Sequence, residues 1–219
     1  QIFTPHLEET ILFKRSVGES SDIVGKEMYQ FIDKGENDVW LRPEGMAGVV
    51  RAFIEAKLDR AGGVHRCFYH GSMFRYERPQ KGRLREFHQF GVECFGEASV
   101  YEDASIILMI NEIFTHLGIK TTLKINSLGD ANSMSAYRAK LLKFLDAHEG
   151  EICEDCRRRK TTNPIRVLDC KVEKCQEIYK NAPLMIDSLS PEAAADFERL
   201  KRILKANGVS YEIDPKLVR

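Results

Sequence analysis

The stretch FRYERPQKGRLREFHQFGVE, Phe74 to Glu93, carries the pattern from which the fold follows. It has the form strand, loop, strand, and four of the nine loop residues between Glu77 and Phe87 are basic: Arg78, Lys81, Arg83 and Arg85. Gly82 gives the loop backbone the freedom to turn. Side chains alternate faces along a strand. Phe87, Gln89, Gly91 and Glu93 therefore share one face of the second strand, and His88, Phe90, Val92 and Cys94 share the other. On the first strand Arg75 and Glu77 point together, away from Phe74 and Tyr76. The face holding Phe90 is apolar enough to pack on helices. The opposite face presents an arginine, two carboxylates, an amide and an aromatic ring, a combination that favours a ligand site.

Each of these groups has a defined chemical capacity. Arg75 is a rigid, permanently charged fork suited to phosphate. Phe87 offers a flat face for a base. Glu77 can accept from an exocyclic amine or help hold Mg²⁺ through oxygen. Glu93 can accept from an ammonium group, and Gln89 both donates and accepts. The loop cations can close over a polyphosphate. Together they predict a nucleoside triphosphate beside an amino acid. A solvated hairpin with a basic tip accounts for the same pattern, and parity alone leaves both open. In LRPEGMAGVVRA, Glu44 stands at a turn into a helix. It can bind a cation or a basic ring there, but an ordinary first-turn acid facing the helix dipole is the commoner case.

Outward from the hairpin, the chain divides into helical and strand-like stretches. QIFTPHLEE reads as a short strand ending near Pro5, residues 22 to 34 as a mixed segment, and VWLRPEGM as a strand entering a turn. Met46, Val49, Val50, Phe53, Ile54 and Leu58 recur at helical spacing, and Gly62 and Gly63 break the pattern. The spacing predicts a second helix over Glu102 to Leu117, ending at Gly118, and a strand in TTLKINSLG. After Gly129 helices dominate, the last with Ser190 as N-cap, Pro191 at its first position and Gly208 past its end. The expected organisation is α+β: a catalytic core over 1–129, a mainly helical insertion over 130–206, and a return strand over 207–219.

With 33 acidic and 33 basic side chains the formal net charge is zero, which excludes a general polyanion-coating role and makes any anion site local. No apolar tract approaches the roughly 18 residues of a membrane span, and no signal peptide is evident, so a cytoplasmic location is expected. Six cysteines in 219 residues do not make a disulfide scaffold. Cys153 and Cys156 in CEDC have zinc-like spacing, and Cys170 and Cys175 would complete four thiolates. Four residues separate the second pair and no other finger signature is present, which favours free thiols over structural zinc. Six scattered histidines suggest no histidine catalyst. The chain starts at Gln1 and stops at Arg219 directly after KLV, and reads as a piece of a longer polypeptide.

FRYERPQKGRLREFHQFGVE resembles motif 2 of the class II aminoacyl-tRNA synthetases, and LRPEG, RPQKGR and FHQ resemble the bacterial histidyl-tRNA synthetase family in particular. TPHLEE at Pro5 is similar to the end of motif 1, whose proline lies at the dimer interface in that class. VLDCK, NSLG and KLVR also follow the family, so the resemblance covers nearly the whole chain. It implies a class II synthetase-like mixed or antiparallel sheet flanked by helices, with a helical insertion. It also implies roles: Arg75 at the ATP α-phosphate, Glu77 on the adenosine side with its Mg²⁺, Arg83 at the distal phosphates and Phe87 stacked on adenine. Gln89 and Glu93 would hold the carboxylate and amino ends of L-histidine, with Glu44 and position 46 in the same pocket. Arg219 matches the arginine that opens the family's RGLDYY motif and assists adenylation. The implied partners are ATP, L-histidine, tRNA(His) and a second copy of the chain. The basic run CRRRKTTNPIR would meet the acceptor stem, although a solvated charge run explains it almost as well.

Met46 stands where the family usually has Thr, replacing a hydroxyl with a thioether. Motif 3 would lie beyond residue 219, so the chain by itself is expected to bind ATP poorly and not to turn over. A regulatory paralogue, of the ATP phosphoribosyltransferase subunit type, would share the fold; the retained Arg75, Glu77, Arg83, Phe87 and Glu93 argue against it. A nucleic-acid-binding module without chemistry explains the basic loop but not the acids.

Overall fold

A computed structural model describes residues 1–17 and 27–217. The chain divides into two compact units, Gln1–Ala98 and Ser99–Arg219. The first contains β1 (Leu7–Glu9), α1 (Thr10–Val17), β2 (Gln30–Ile32), β3 (Asp38–Leu41), α2 (Met46–Glu55), α3 (Leu58–Ala61), β4 (His65–Phe74) and β5 (Glu86–Phe95). β3 lies between β1 and β2, antiparallel to both. The β1 strand begins after Pro5 rather than ending there. Proline has no N–H for a ladder, and before it the Ile2 N–H donates to Phe68 O at 2.9 Å.

β4 and β5 form the expected antiparallel hairpin, ten residues on each side. At its tip Gln80 and Arg83 close a turn in which Gly82 takes φ 80°. The hairpin is joined to the end of β3 by the Phe74 N–H, which donates to Arg42 O at 2.9 Å. The Arg42 guanidinium, itself buried, extends this join. Its Nε donates to Ser72 O at 2.9 Å and its Nη1 to Thr4 O at 2.8 Å. α2 contributes to two cores: Ala47 joins Phe13 and Trp40, while Val49 joins Tyr69 and Met73.

The hairpin's two faces are separated as parity predicts, but their surroundings are exchanged. Phe68 and Phe90, on the face expected to pack on helices, are 40% and 52% exposed. α2 instead packs through Val49 on the face that carries Tyr69, Met73 and Phe87. Alternation distinguishes two faces of a strand pair, whereas long-range packing decides which one is covered.

The second unit contains α4 (Val100–His116), β6 (Lys124–Ile125), α5 (Ala131–Ala147), α6 (Glu154–Thr162), α7 (Glu173–Tyr179), α8 (Pro191–Ala206) and β7 (Glu212–Ile213), with 3₁₀ turns at Pro164–Asp169 and Met185–Ser188. The helical stretch expected over 130–206 falls inside it together with α4. Ser99 caps α4, accepting from the Tyr101 N–H at 3.2 Å. Ser190 caps α8, accepting from the Ala193 N–H at 3.2 Å. α4 and α8 share a core of Val100, Ala104, Phe197, Leu200 and Leu204. The strand expected in TTLKINSLG is limited to Lys124–Ile125, which pair with parallel β7; the Glu212 N–H donates to Leu123 O at 2.8 Å and the Asp214 N–H to Ile125 O at 3.0 Å. A separate core gathers Tyr137, Leu141 and Leu145 of α5 around Val167, Tyr179 and Met185.

Candidate active site

Register places Phe87, Gln89, Gly91 and Glu93 opposite Met73, Gly71, Tyr69 and Cys67. Directly opposed residues share a face of an antiparallel pair, so all eight belong to one surface. Beyond the end of β4, the Arg75 N–H donates to Arg85 O at 2.9 Å and prolongs the pairing toward the loop. The Arg75 side chain donates through Nε to Pro43 O at 2.9 Å, and its guanidinium lies 5.1 Å from the centre of the Phe87 ring. Glu77 stands 3.9 Å from Arg75 Nη1 and accepts from Arg83 Nη1 at 2.9 Å. Arg85 lies over the Tyr76 ring at 4.1 Å. Arg75, Glu77, Arg83 and Phe87, singled out from the sequence, are thus brought into one network of short contacts.

The second half of the site centres on Tyr69, which sequence reasoning missed. A Cβ on Gly45 would lie 2.1 Å from Tyr69 Cε2, and one on Gly91 would lie 2.3 Å from its Oη. Both glycines are therefore needed to admit the ring. Glycine inside a strand pattern marks close approach of another group, so Gly91 was the available signal. Gly71 on β4 is similar, since Arg42 Nη2 lies 2.6 Å from where its Cβ would be. Burial, then the charges of Glu93 and Glu44, push the Tyr69 phenol up to about 12, while Arg42 opposes them. Burial, reinforced by Glu44, holds the Glu93 carboxyl above the usual carboxylate range. Burial lowers the Arg42 guanidinium, against the charges of Glu8 and Tyr69. A half-buried carboxyl whose ionisation is opposed by burial and by a second acid nearby makes a site suited to a cation.

Glu44 has two roles in this arrangement. Its carboxylate accepts from the N–H groups of Met46 at 2.6 Å and Ala47 at 2.9 Å, satisfying free donors at the start of α2. Its charge also reaches Tyr69 and Glu93. Gln89 Oε1 is buried and has no hydrogen-bond partner among the described residues. A buried carbonyl oxygen left unmatched is costly, which suits one awaiting a ligand donor. Met46 is 53% exposed and lines a 630 Å³ groove with Glu44, Leu12, Arg15 and Ile54. Arg219 lies outside the described residues.

The fold is that of a class II aminoacyl-tRNA synthetase catalytic region. It matches the crystal structure of apo Staphylococcus aureus histidyl-tRNA synthetase with a TM-score of 0.78 at 37% identity, over 100% of this chain and 49% of that one. The family model described as histidyl-tRNA synthetase matches residues 1–219, and the chain belongs to that family. It is 78% identical over 219 residues to the histidine–tRNA ligase of Campylobacter concisus, covering 54% of that protein. It is 72% identical over 216 residues to that of Campylobacter fetus, covering 53%. The chain thus spans about half the length of the curated relatives it matches. A Bacillus halodurans structure titled ATP phosphoribosyltransferase regulatory subunit/histidyl-tRNA synthetase has a TM-score of 0.60 at 20% identity, which shows the shared fold alone.

Proposed function

We propose that the protein carrying this chain activates L-histidine with ATP and transfers it to tRNA(His). The observation that carries the reading is the single hairpin surface on which Arg75, Glu77 and Phe87 adjoin Gln89, Glu93 and Tyr69. The histidine carboxylate attacks the α-phosphorus of ATP, the bond to the β-phosphate oxygen breaks, and pyrophosphate leaves. The terminal ribose hydroxyl of the tRNA then takes the histidyl group and AMP departs. Such transfers depend on positioning and charge stabilisation.

Arg75, fixed through Nε by Pro43 O, keeps its remaining donors for the α-phosphate. Phe87 supports adenine, Arg83 reaches the distal phosphates, and Arg219 belongs to the same step. Gln89 donates through Nε2 to the carboxylate end of histidine, and Glu93 accepts from the ammonium end beside the free Gln89 Oε1, with Glu44 and Met46 at the pocket's edge. Glu77 offers carboxylate oxygens of the kind Mg²⁺ prefers, and the ion, when bound, neutralises phosphate charge. No helix among the described residues is long and apolar enough to cross a membrane. A cytoplasmic homodimer completes the proposal. Exposed Phe3, Leu7 and Ile11 around β1 support a second copy docking there.

A regulatory paralogue would bind ligands without charging tRNA, and the identity to named histidine–tRNA ligases disfavours it. The full-length protein should attach radiolabelled histidine to tRNA(His) and run as a dimer in light scattering. Histidine binding without any aminoacylation would support the paralogue instead.

A further inference from the structure

Four cysteines in the second unit come from separate parts of the chain. Cys153 precedes α6 as its N-cap and Cys156 lies in its first turn. Cys170 follows the Pro164–Asp169 turn, and Cys175 lies in the first turn of α7. Their four Sγ atoms all fall within 4.8 Å of one another. Cys156, Cys170 and Cys175 are buried, and Cys153 is half-buried.

We propose that these four thiolates bind one structural zinc ion. Tetrahedral zinc at about 2.3 Å from each sulfur separates the sulfurs by roughly 3.8 Å; Cys153 Sγ and Cys170 Sγ are 3.8 Å apart. A disulfide would need about 2.0 Å, and all four are free thiols. The space enclosed by sulfurs this close suits a single ion rather than a cluster of several irons. The Cys153 N–H points to Cys175 Sγ at 3.2 Å and the Val172 N–H to Cys170 Sγ at 3.4 Å. Backbone donors aimed at sulfur stabilise the thiolate form and orient metal ligands.

Linear spacing weighed against zinc, because CX₄C between Cys170 and Cys175 is wider than the usual pair. The turn at Pro164–Asp169 and the start of α7 bring that pair back onto the first. Buried cysteines often serve as small apolar residues, but that role does not require four sulfurs to meet at one point. The tetrathiolate would tie α6, the 3₁₀ turn and α7 together. Binding forms four Zn–S bonds and releases the thiol protons to solvent.

Full-length protein purified without chelator should contain about one zinc per chain by elemental analysis. A mercurial titration should release that zinc as four thiols react, and cobalt substitution should give the absorption of a tetrahedral thiolate site. Cys156→Ser/Cys175→Ser should lose the metal. If that variant misfolds, zinc content and the cobalt spectrum of the unaltered protein still decide the matter. Zinc below about 0.1 per chain after growth in zinc-supplemented medium would overturn the proposal, as would iron in its place.

Discussion

Replacing Gly91 with alanine places a methyl carbon 2.2 Å from Cζ and 2.3 Å from Oη of Tyr69. Carbon atoms in ordinary contact stand at roughly 3.5 Å or more, so the ring must retreat by about 1 Å. It has little room, because Gly45 backbone abuts its Cδ2–Cε2 edge and Val49 and Met73 pack with it in the same core. Gly91 has no left-handed φ, so the backbone itself accepts alanine and the effect is steric. Overpacking of this kind costs roughly 1–3 kcal/mol. Urea unfolding of the full-length protein should show a loss in that range. In a Tyr69→Ala background the same substitution should cost less than about 0.5 kcal/mol, since the two residues couple through direct contact. The KM for histidine should rise as the ring leaves its place beside Glu93 and Glu44. A Gly91→Ala protein within about 0.5 kcal/mol of its parent, or an equal cost in both backgrounds, would refute the steric account.

Three further outcomes are expected. Glu93 has its folded-state pKa raised, so the stability linked to its protonation is present in full below the unfolded glutamate value and is lost as pH rises through the folded one. Glu93→Gln should therefore gain more stability over the parent at pH 7 than at pH 4, while its KM for histidine rises about 10- to 100-fold from a lost charged hydrogen bond; pH-dependent urea unfolding and steady-state kinetics check both. Arg83→Ala removes an exposed pair with Glu77 and should change stability by less than about 1 kcal/mol. Its KM for ATP should nevertheless rise about tenfold or more, as one phosphate contact is lost. Met46→Thr should lower the KM for histidine by restoring a hydroxyl at the start of α2; equal values in the two proteins would remove position 46 from the pocket.

Period-two alternation is a local property, so the sequence alone separated Phe87, Gln89 and Glu93 from His88 and Phe90, and the register of β4 with β5 keeps them apart. Caps are equally local, and Ser190, expected as the N-cap of α8, accepts from the Ala193 N–H. What failed was the choice of covered face, because Val49 reaches Tyr69 and Met73 from a helix elsewhere in the chain. Tyr69 escaped notice because an aromatic in a strand reads as ordinary core. Only its fit between Gly45 and Gly91 marks it out. Glu44 had two readings on sequence, and its carboxylate serves the one at the helix start while its charge reaches Glu93. Only the Cys153–Cys156 pair had zinc-like spacing in the sequence, because the turn that brings Cys170 and Cys175 onto it is a feature of the folded backbone.

The central claim is that the β4–β5 surface binds ATP and histidine together, and histidine-dependent ATP–pyrophosphate exchange by the full-length protein tests it most directly. Arg75→Ala, with folding verified by an unchanged urea midpoint, should reduce exchange about 10²- to 10³-fold, the usual effect of removing one donor from a developing charge. Exchange within about twofold of the parent would place the chemistry elsewhere.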